Sequence, residues 1–215
     1  AKIAGTDGWI AIILGGVISI IASVIIILLM KKYPNGTIID LVAHYFGNWA
    51  RKLAAIIFVG YFALITAVTL IHVILFIQLW ILPFTNIYIL FLLMMIPMFM
   101  LVSHDVHILG RYAVFVFFMS FWLVLIYLMP LKYANFLHLL PIIKEGWAPV
   151  LEAVEKAIYS YLGFEIALFL YPYLDKKEYA MRGVIIANIL SILAFTIVTI
   201  IVFTFYSPDE ITIFS

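Results

Sequence analysis

The chain has no cysteine. That excludes disulfides, thiolate metal sites and a cysteine nucleophile, and leaves the redox compartment unread. Charge is scarce: 11% of the 215 residues are Asp, Glu, Lys or Arg, against about a quarter in a soluble domain. The formal net charge is +1, so there is no electrostatic footprint for nucleic acid. A glycine-rich phosphate loop, a Ser–His–Asp arrangement and a metal-ligand box are missing as well. No enzymatic chemistry and no cofactor is expected on these grounds.

What fills the chain is apolar. Hydrophobic residues make up 67% of it and mean hydropathy is +1.25. This composition predicts an all-α polytopic membrane protein, whose helices satisfy their backbone inside lipid. Six runs are long enough to cross a hydrocarbon core of about 30 Å. They cover about 8–30, 53–82, 87–102, 112–129, 151–174 and 183–206. The second exceeds the required length and should tilt. The third carries Pro97, which predicts a kink near Ile96.

Lys and Arg in the loops set the orientation. Lys31, Lys32, Arg51, Lys52, Arg111, Lys176, Lys177 and Arg182 fall on one side, eight of the 12 basic residues. Lys2, Lys132, Lys144 and Lys156 fall on the other. The first group is therefore placed in the cytoplasm. Both ends of the chain then face outward. With no initial Met and an apolar run that starts at once, this predicts a piece of a longer protein. Trp9, Trp80 and Trp147 fall at the outer boundary, as an aromatic belt would.

Between the first two runs, Ile38, Leu41, Val42, Tyr45, Phe46 and Trp49 keep an amphipathic helical period over 37–52. Thr37 and Asp40 form a capping-box pattern at its start. The segment reads as a cytoplasmic helix on the membrane surface, serving as a gate, a docking helix or a packed connector. The loop at 131–150 reads as a partly apolar outer cap.

Polar residues inside the runs are few. Glu165 lies a little past the middle of the fifth. A carboxylate at that depth costs about 2.5–3.5 kcal/mol on insertion scales. Its roles are proton carrier, gate, partner of an amine or structural carboxylate. Gly163 precedes it, with Tyr159 and Ser160 one turn earlier. Either the helix unwinds here and offers backbone groups to a ligand, or it continues with a small-residue notch. Thr66, Thr69 and His72 share a stripe of the second run. They line a polar cavity, or bond back to their own helix. His104, Asp105 and His107 cluster at a helix end and read as a solvated loop. Gly16-Val17-Ile18-Ser19-Ile20-Ile21-Ala22 is echoed by Asn188-Ile189-Leu190-Ser191-Ile192-Leu193-Ala194. The two runs point in opposite directions, as inverted repeats do.

Three stretches carry a resemblance. They are Ala4-Gly5-Thr6-Asp7-Gly8-Trp9-Ile10, Lys31-Lys32-Tyr33-Pro34, and Tyr159-Ser160-Tyr161-Leu162-Gly163-Phe164-Glu165 with Tyr171-Pro172 after it. The chain resembles the B subunit of bacterial spore germinant receptors, within the amino acid–polyamine–organocation transporter superfamily. The resemblance implies helices two to seven of a ten-helix inverted-repeat, LeuT-like fold. The first helix, also broken and supplying the other half of the site, and the last three would lie outside this stretch. It implies a sensor in the spore inner membrane that binds a small germinant, typically an amino acid, and works with receptor A and C subunits. Tyr159, Ser160, Leu162, Gly163 and Phe164 would then form half of the germinant pocket, with Glu165 just beyond the break as a gating or proton-linked group. Thr66 and Thr69 are further pocket candidates from the stripe alone. The competing expectations are a proton-coupled amino acid or polyamine permease, and a scaffold subunit without a ligand.

Overall fold

A computed structural model describes residues 3–141, 143 and 146–206, the side chains of Phe121 and Val124 excepted. Lys2 and Lys144, two of the basic residues assigned to the outer side, lie outside the described residues, as do parts of the 131–150 loop. Among the described residues all regular structure is helical, with no strand. Four helical stretches are long and apolar enough to cross a membrane: Gly5–Lys31, Ile38–Trp80, Val106–Tyr133 and Lys177–Phe205. Large apolar side chains point outward along all of them. That is how a membrane protein meets lipid, where no water drives them inward.

The chain divides into two compact units. The first holds the described residues of Ala1–Thr37 and Phe117–Ser215, and helix α1 (Gly8–Lys31) is its spine. α1 ends at Lys31, shortly before Pro34, which cannot extend a helix. Its buried residues include Ala11, Gly15, Ser19, Ser23 and Ile27, one every four positions, so they form one stripe. Small side chains there let neighbouring backbones come close, the main source of helix association in lipid. A Cβ on Gly15 would sit 3.2 Å from Ala157 Cβ, and one on Gly16 only 2.2 Å from Ile192 Cγ1.

Two further helices of this unit pack on α1. α5 (Trp147–Tyr159) meets its first half, where Ala4, Ala11, Val150, Val154 and Ala157 form one core cluster. α7 (Ala180–Phe205) lies along its whole length. The pairing is antiparallel: Gly8 faces Phe203, Gly16 faces Ile192, and Ser19 and Ser23 both reach Asn188. A second cluster, Ile27, Met30 and Tyr171, closes the Lys31 end together with the four-residue helix α6 (Ala167–Leu170).

Loops at the opposite end are tied to these helices. Asp7 is buried and its Oδ1 accepts from the Ile143 N–H at 3.0 Å. Asn135 N–H donates to the Thr204 carbonyl at 2.8 Å, and the His138 ring meets the Tyr206 carbonyl at 3.1 Å.

The second unit, Ile38–Val116, contains α2 (Ile38–Trp80), α3 (Ile87–Val102) and the first half of α4 (Val106–Tyr127). Two helices meet within α2: Gly47, at φ +83° and ψ 179°, is non-helical and separates the surface helix from the second run. Only glycine adopts that angle at little cost. Before and after the break, Tyr45, Phe46 and Trp49 are exposed, and Arg51 pairs with Asp40 at 3.4 Å. α3 starts on Asn86, whose side chain accepts from the Tyr88 N–H, and continues through Pro97. His72 bonds the Val68 carbonyl of its own helix. His104 bonds Met100 O, and Asp105 accepts from the Val106 N–H at the start of α4. Both therefore finish helix termini.

Candidate functional site

The fifth apolar run is not one helix. α5 stops at Tyr159, and residues 160–163 turn. A 3₁₀ turn (Phe164–Ile166) leads into α6, and a second one (Tyr171–Tyr173) follows. Of the two possibilities open from residue types, the broken helix is the one that forms. Gly163 sits at φ +120°, ψ −15°, a region that L side chains rarely adopt.

Two interactions hold the break. Glu165 is buried, and its Oε2 accepts from the Gly163 N–H at 2.9 Å. The carboxylate thus reaches back two residues and binds the turn that precedes it. Tyr161 is turned inward: its hydroxyl donates to the Ile12 carbonyl at 2.9 Å, and its ring meets Phe195 edge-on at 5.4 Å. The turn is therefore fixed to α1 and α7 together.

The unwound stretch opens on a cavity of about 600 Å³. Ser160, Leu162, Gly163 and Phe164 line it, with Tyr171 and Lys176 after the break and Asn188, Ser191 and Phe195 on α7. Hydroxyls, an amide and an ammonium thus share an open cavity with aliphatic and aromatic walls. This is the make-up of a site for a small polar solute with an apolar portion. Asn188 is held in a closed ring of bonds. Ser19 Oγ donates to its Oδ1 at 2.7 Å, its Nδ2 donates to Ser23 Oγ at 3.1 Å, and Ser23 Oγ donates to Ser19 O at 2.8 Å. Interhelical bonds of this kind contribute about 0.6 kcal/mol each in membranes. Their larger effect here is to fix the cavity wall on α7 against α1.

The structure brings together four of the residues singled out from sequence: Ser160, Leu162, Gly163 and Phe164. Tyr159 is 62% exposed and does not line the cavity. Glu165 lies behind the lining, on the Gly163 N–H. Thr66 and Thr69 are exposed on α2, in the other unit. Sequence reasoning gave no site role to Tyr161 or Tyr171, nor to the Ser19–Ser23–Asn188 ring. The four-residue spacing of Gly15, Ser19 and Ser23 was the available signal for a close helix contact. Nothing in the sequence tells that Tyr161 points inward and Tyr159 outward.

Comparison with known proteins follows the same lines. A family model described as spore germination protein matches residues 1–214. Spore germination protein GerQB of Bacillus cereus is 26% identical over 211 residues, covering 98% of this chain and 58% of that protein. Spore germination protein YndE of Bacillus subtilis (strain 168) is 27% identical over 183 residues, 85% of this chain and 50% of that one. Spore germination protein A2 of the same organism is 25% identical over 199 residues, covering 89% and 54%. The chain thus spans about half the length of the curated relatives it matches. No solved structure matches it. With a family match over essentially its whole length, a membrane-helical architecture and a broken helix where the motif falls, the chain belongs to the spore germination protein family.

Proposed function

We propose that this chain belongs to the nutrient-sensing membrane part of a spore germination receptor. It takes a small germinant, an amino acid, in the cavity at the break between α5 and α6. Occupancy shifts the balance between conformers of the broken helix, and receptor A and C subunits read that shift in the spore inner membrane. The single observation that carries this reading is the Gly163 turn opening on a cavity with mixed polar and apolar walls. A LeuT-like inverted-repeat arrangement is supported by the break itself, because such folds place their ligand at interrupted helices. It is also supported by the antiparallel α1–α7 pair, which carries the sequence echo. The permease alternative draws less support. Glu165, its natural proton carrier, is engaged with the Gly163 N–H and does not line the cavity.

Bulk added inside the cavity tests the proposal. Leu162 lines it and is 39% exposed, so Leu162→Trp adds bulk to the cavity without removing a hydrogen bond. Spores carrying the variant in the full-length receptor should need at least about tenfold more amino acid for half-maximal germination, a penalty of about 1.4 kcal/mol. An unchanged dose–response at normal receptor levels would remove the cavity from the account.

A further inference from the structure

α1 and α5 expose different surfaces. Every exposed residue of α1 before Lys31 is Val, Ile or Leu. On α5, Glu152, Glu155, Lys156 and Tyr159 are exposed, as is Ser160 where the helix ends. Glu152, Glu155 and Tyr159 are three and four residues apart, so they share one stripe, with Lys156 and Ser160 along its edge. The opposite face is apolar and packed, with Val150, Val154 and Ala157 buried against α1.

α1 sets the depth of this stripe. It carries no charge between Asp7 and Lys31, so its middle, between Ser19 and Ile20, lies near the middle of the bilayer. Asp7 meets Ile143, and Gly15 approaches Ala157, where an added Cβ would be 3.2 Å from the Ala157 Cβ. α5 therefore runs in the same direction as α1, with Ala157 level with Gly15. At a rise of about 1.5 Å per residue, Glu155 lies about 10 Å from the middle and Ser160 within about 3 Å of it. Both are inside a hydrocarbon core whose half-thickness is about 15 Å.

We propose that the stripe from Glu152 to Ser160 faces water, which enters at the Trp147 end of α5 and reaches the cavity at the break. Ionisable residues inside a membrane helix face either the bundle interior or a water-filled space. Glu152, Glu155 and Lys156 turn away from α1, so the interior of this unit is not their surrounding. A protein neighbour would have to bring cations to two carboxylates in a low dielectric, where the desolvation cost of such pairs can exceed their attraction. Water solvates the three charges and both hydroxyls together. The stripe is continuous, and its last member, Ser160, lines the cavity at the break. The water path thus ends where the germinant site begins. That a germinant travels along it rests on the function proposed above; the water does not.

The test uses the full-length protein in phosphatidylcholine nanodiscs, freed of any other cysteine and without amino acids. The variants Glu155→Cys, Ser160→Cys and Ile18→Cys are reacted with a trimethylammonium methanethiosulfonate, and the rates are compared. This reagent does not enter lipid, and the thiolate that attacks it forms only in contact with water. Ile18 is the depth-matched control for Ser160: it is exposed on α1, about 2 Å from the middle of that helix. Glu155→Cys and Ser160→Cys should each react at least about 100-fold faster than Ile18→Cys. Glu155→Cys as slow as Ile18→Cys overturns the proposal, because protein or lipid then covers the stripe. A fast Glu155→Cys beside a slow Ser160→Cys overturns it as well, because water then stops short of the break. If Glu155→Cys fails to incorporate into the discs, Lys156→Cys takes its place under the same criterion. With no amino acid present, loss of germinant binding leaves these rates unchanged, so failure of the water path and failure of the germinant site are told apart.

Discussion

Gly163→Ala is expected to shift the germinant dose–response by about 5–150-fold toward higher concentration. The backbone at this position has φ +120° and ψ −15°. Holding an L residue there costs about 1–3 kcal/mol, which is the range that produces such a shift in an equilibrium between two conformers. Crowding does not enter, because an added Cβ meets nothing within 4 Å. The effect is therefore one of conformation alone. The turn relaxes to φ below zero, the Gly163 N–H swings off Glu165 Oε2, and Leu162 and Phe164 leave the cavity wall. Germination of spores carrying the full-length variant, with receptor level checked by immunoblot, measures it. A wild-type half-maximal concentration would show that the break plays no part in the response.

Gly16→Ala should destabilise the bundle itself. A Cβ there would lie 2.2 Å from Ile192 Cγ1, 2.6 Å from its Cδ1 and 3.0 Å from the Tyr161 hydroxyl. The first of these atoms is close to the α7 backbone and cannot simply swing away, so α1 and α7 must separate. Overpacking of this kind costs about 1–3 kcal/mol. It also loosens the Tyr161–Ile12 bond that holds the break. Thermal unfolding in detergent should show the loss. Ile192→Ala in the same chain should return most of it, as contacting residues couple by about 0.5–3 kcal/mol. Gly60→Ala is the matched control. That glycine has open space where a Cβ would go, and alanine is the better helix former by about 1 kcal/mol. Equal losses at Gly16 and Gly60 would mean that the α1–α7 approach is not what the small stripe serves.

How much of this could be read from the chain varies element by element. The start of α1 and the end of α7 follow from apolar runs bounded by charged or turn-forming residues, because lipid leaves the helix as the one local solution. The interruption at Gly163 was half legible. A glycine beside a buried acid named the place, but residue types could not choose between a notch and a turn. The choice is made by tertiary partners, Ile12 and Phe195 on Tyr161, that lie more than thirty positions away in sequence. The surface helix and the second run read as separate segments, 37–52 and 53–82. Two helices form there, but the break falls at Gly47, inside the expected surface helix, because its φ of +83° and ψ of 179° leave the helical region. The tryptophans divide in the same way. Trp80 and Trp147 are exposed, whereas Trp9 turns its indole N–H inward, where it is buried and has no partner among the described residues. Ser19 aligned with Ser191 in the sequence echo, yet its bond goes to Asn188, and Ser191 bonds back to Ala187. Side-chain direction around a helix is set by its neighbours, and an apolar sequence of low complexity does not encode them.

The absence of cysteine from this stretch opens the most direct test of the central claim, in a full-length receptor freed of any cysteine elsewhere. Ser191→Cys places one thiol in the lining of the cavity at the break, and Ser103→Cys places one at the end of α3 in the other unit. The measurement is the rate of maleimide labelling of each variant in the full-length receptor, with and without a pool of L-amino acids that triggers germination. If the cavity holds the germinant, labelling at residue 191 slows several-fold in the presence of the pool while labelling at residue 103 does not change. Equal rates at residue 191 with and without the amino acids, in spores that still germinate, would contradict the account.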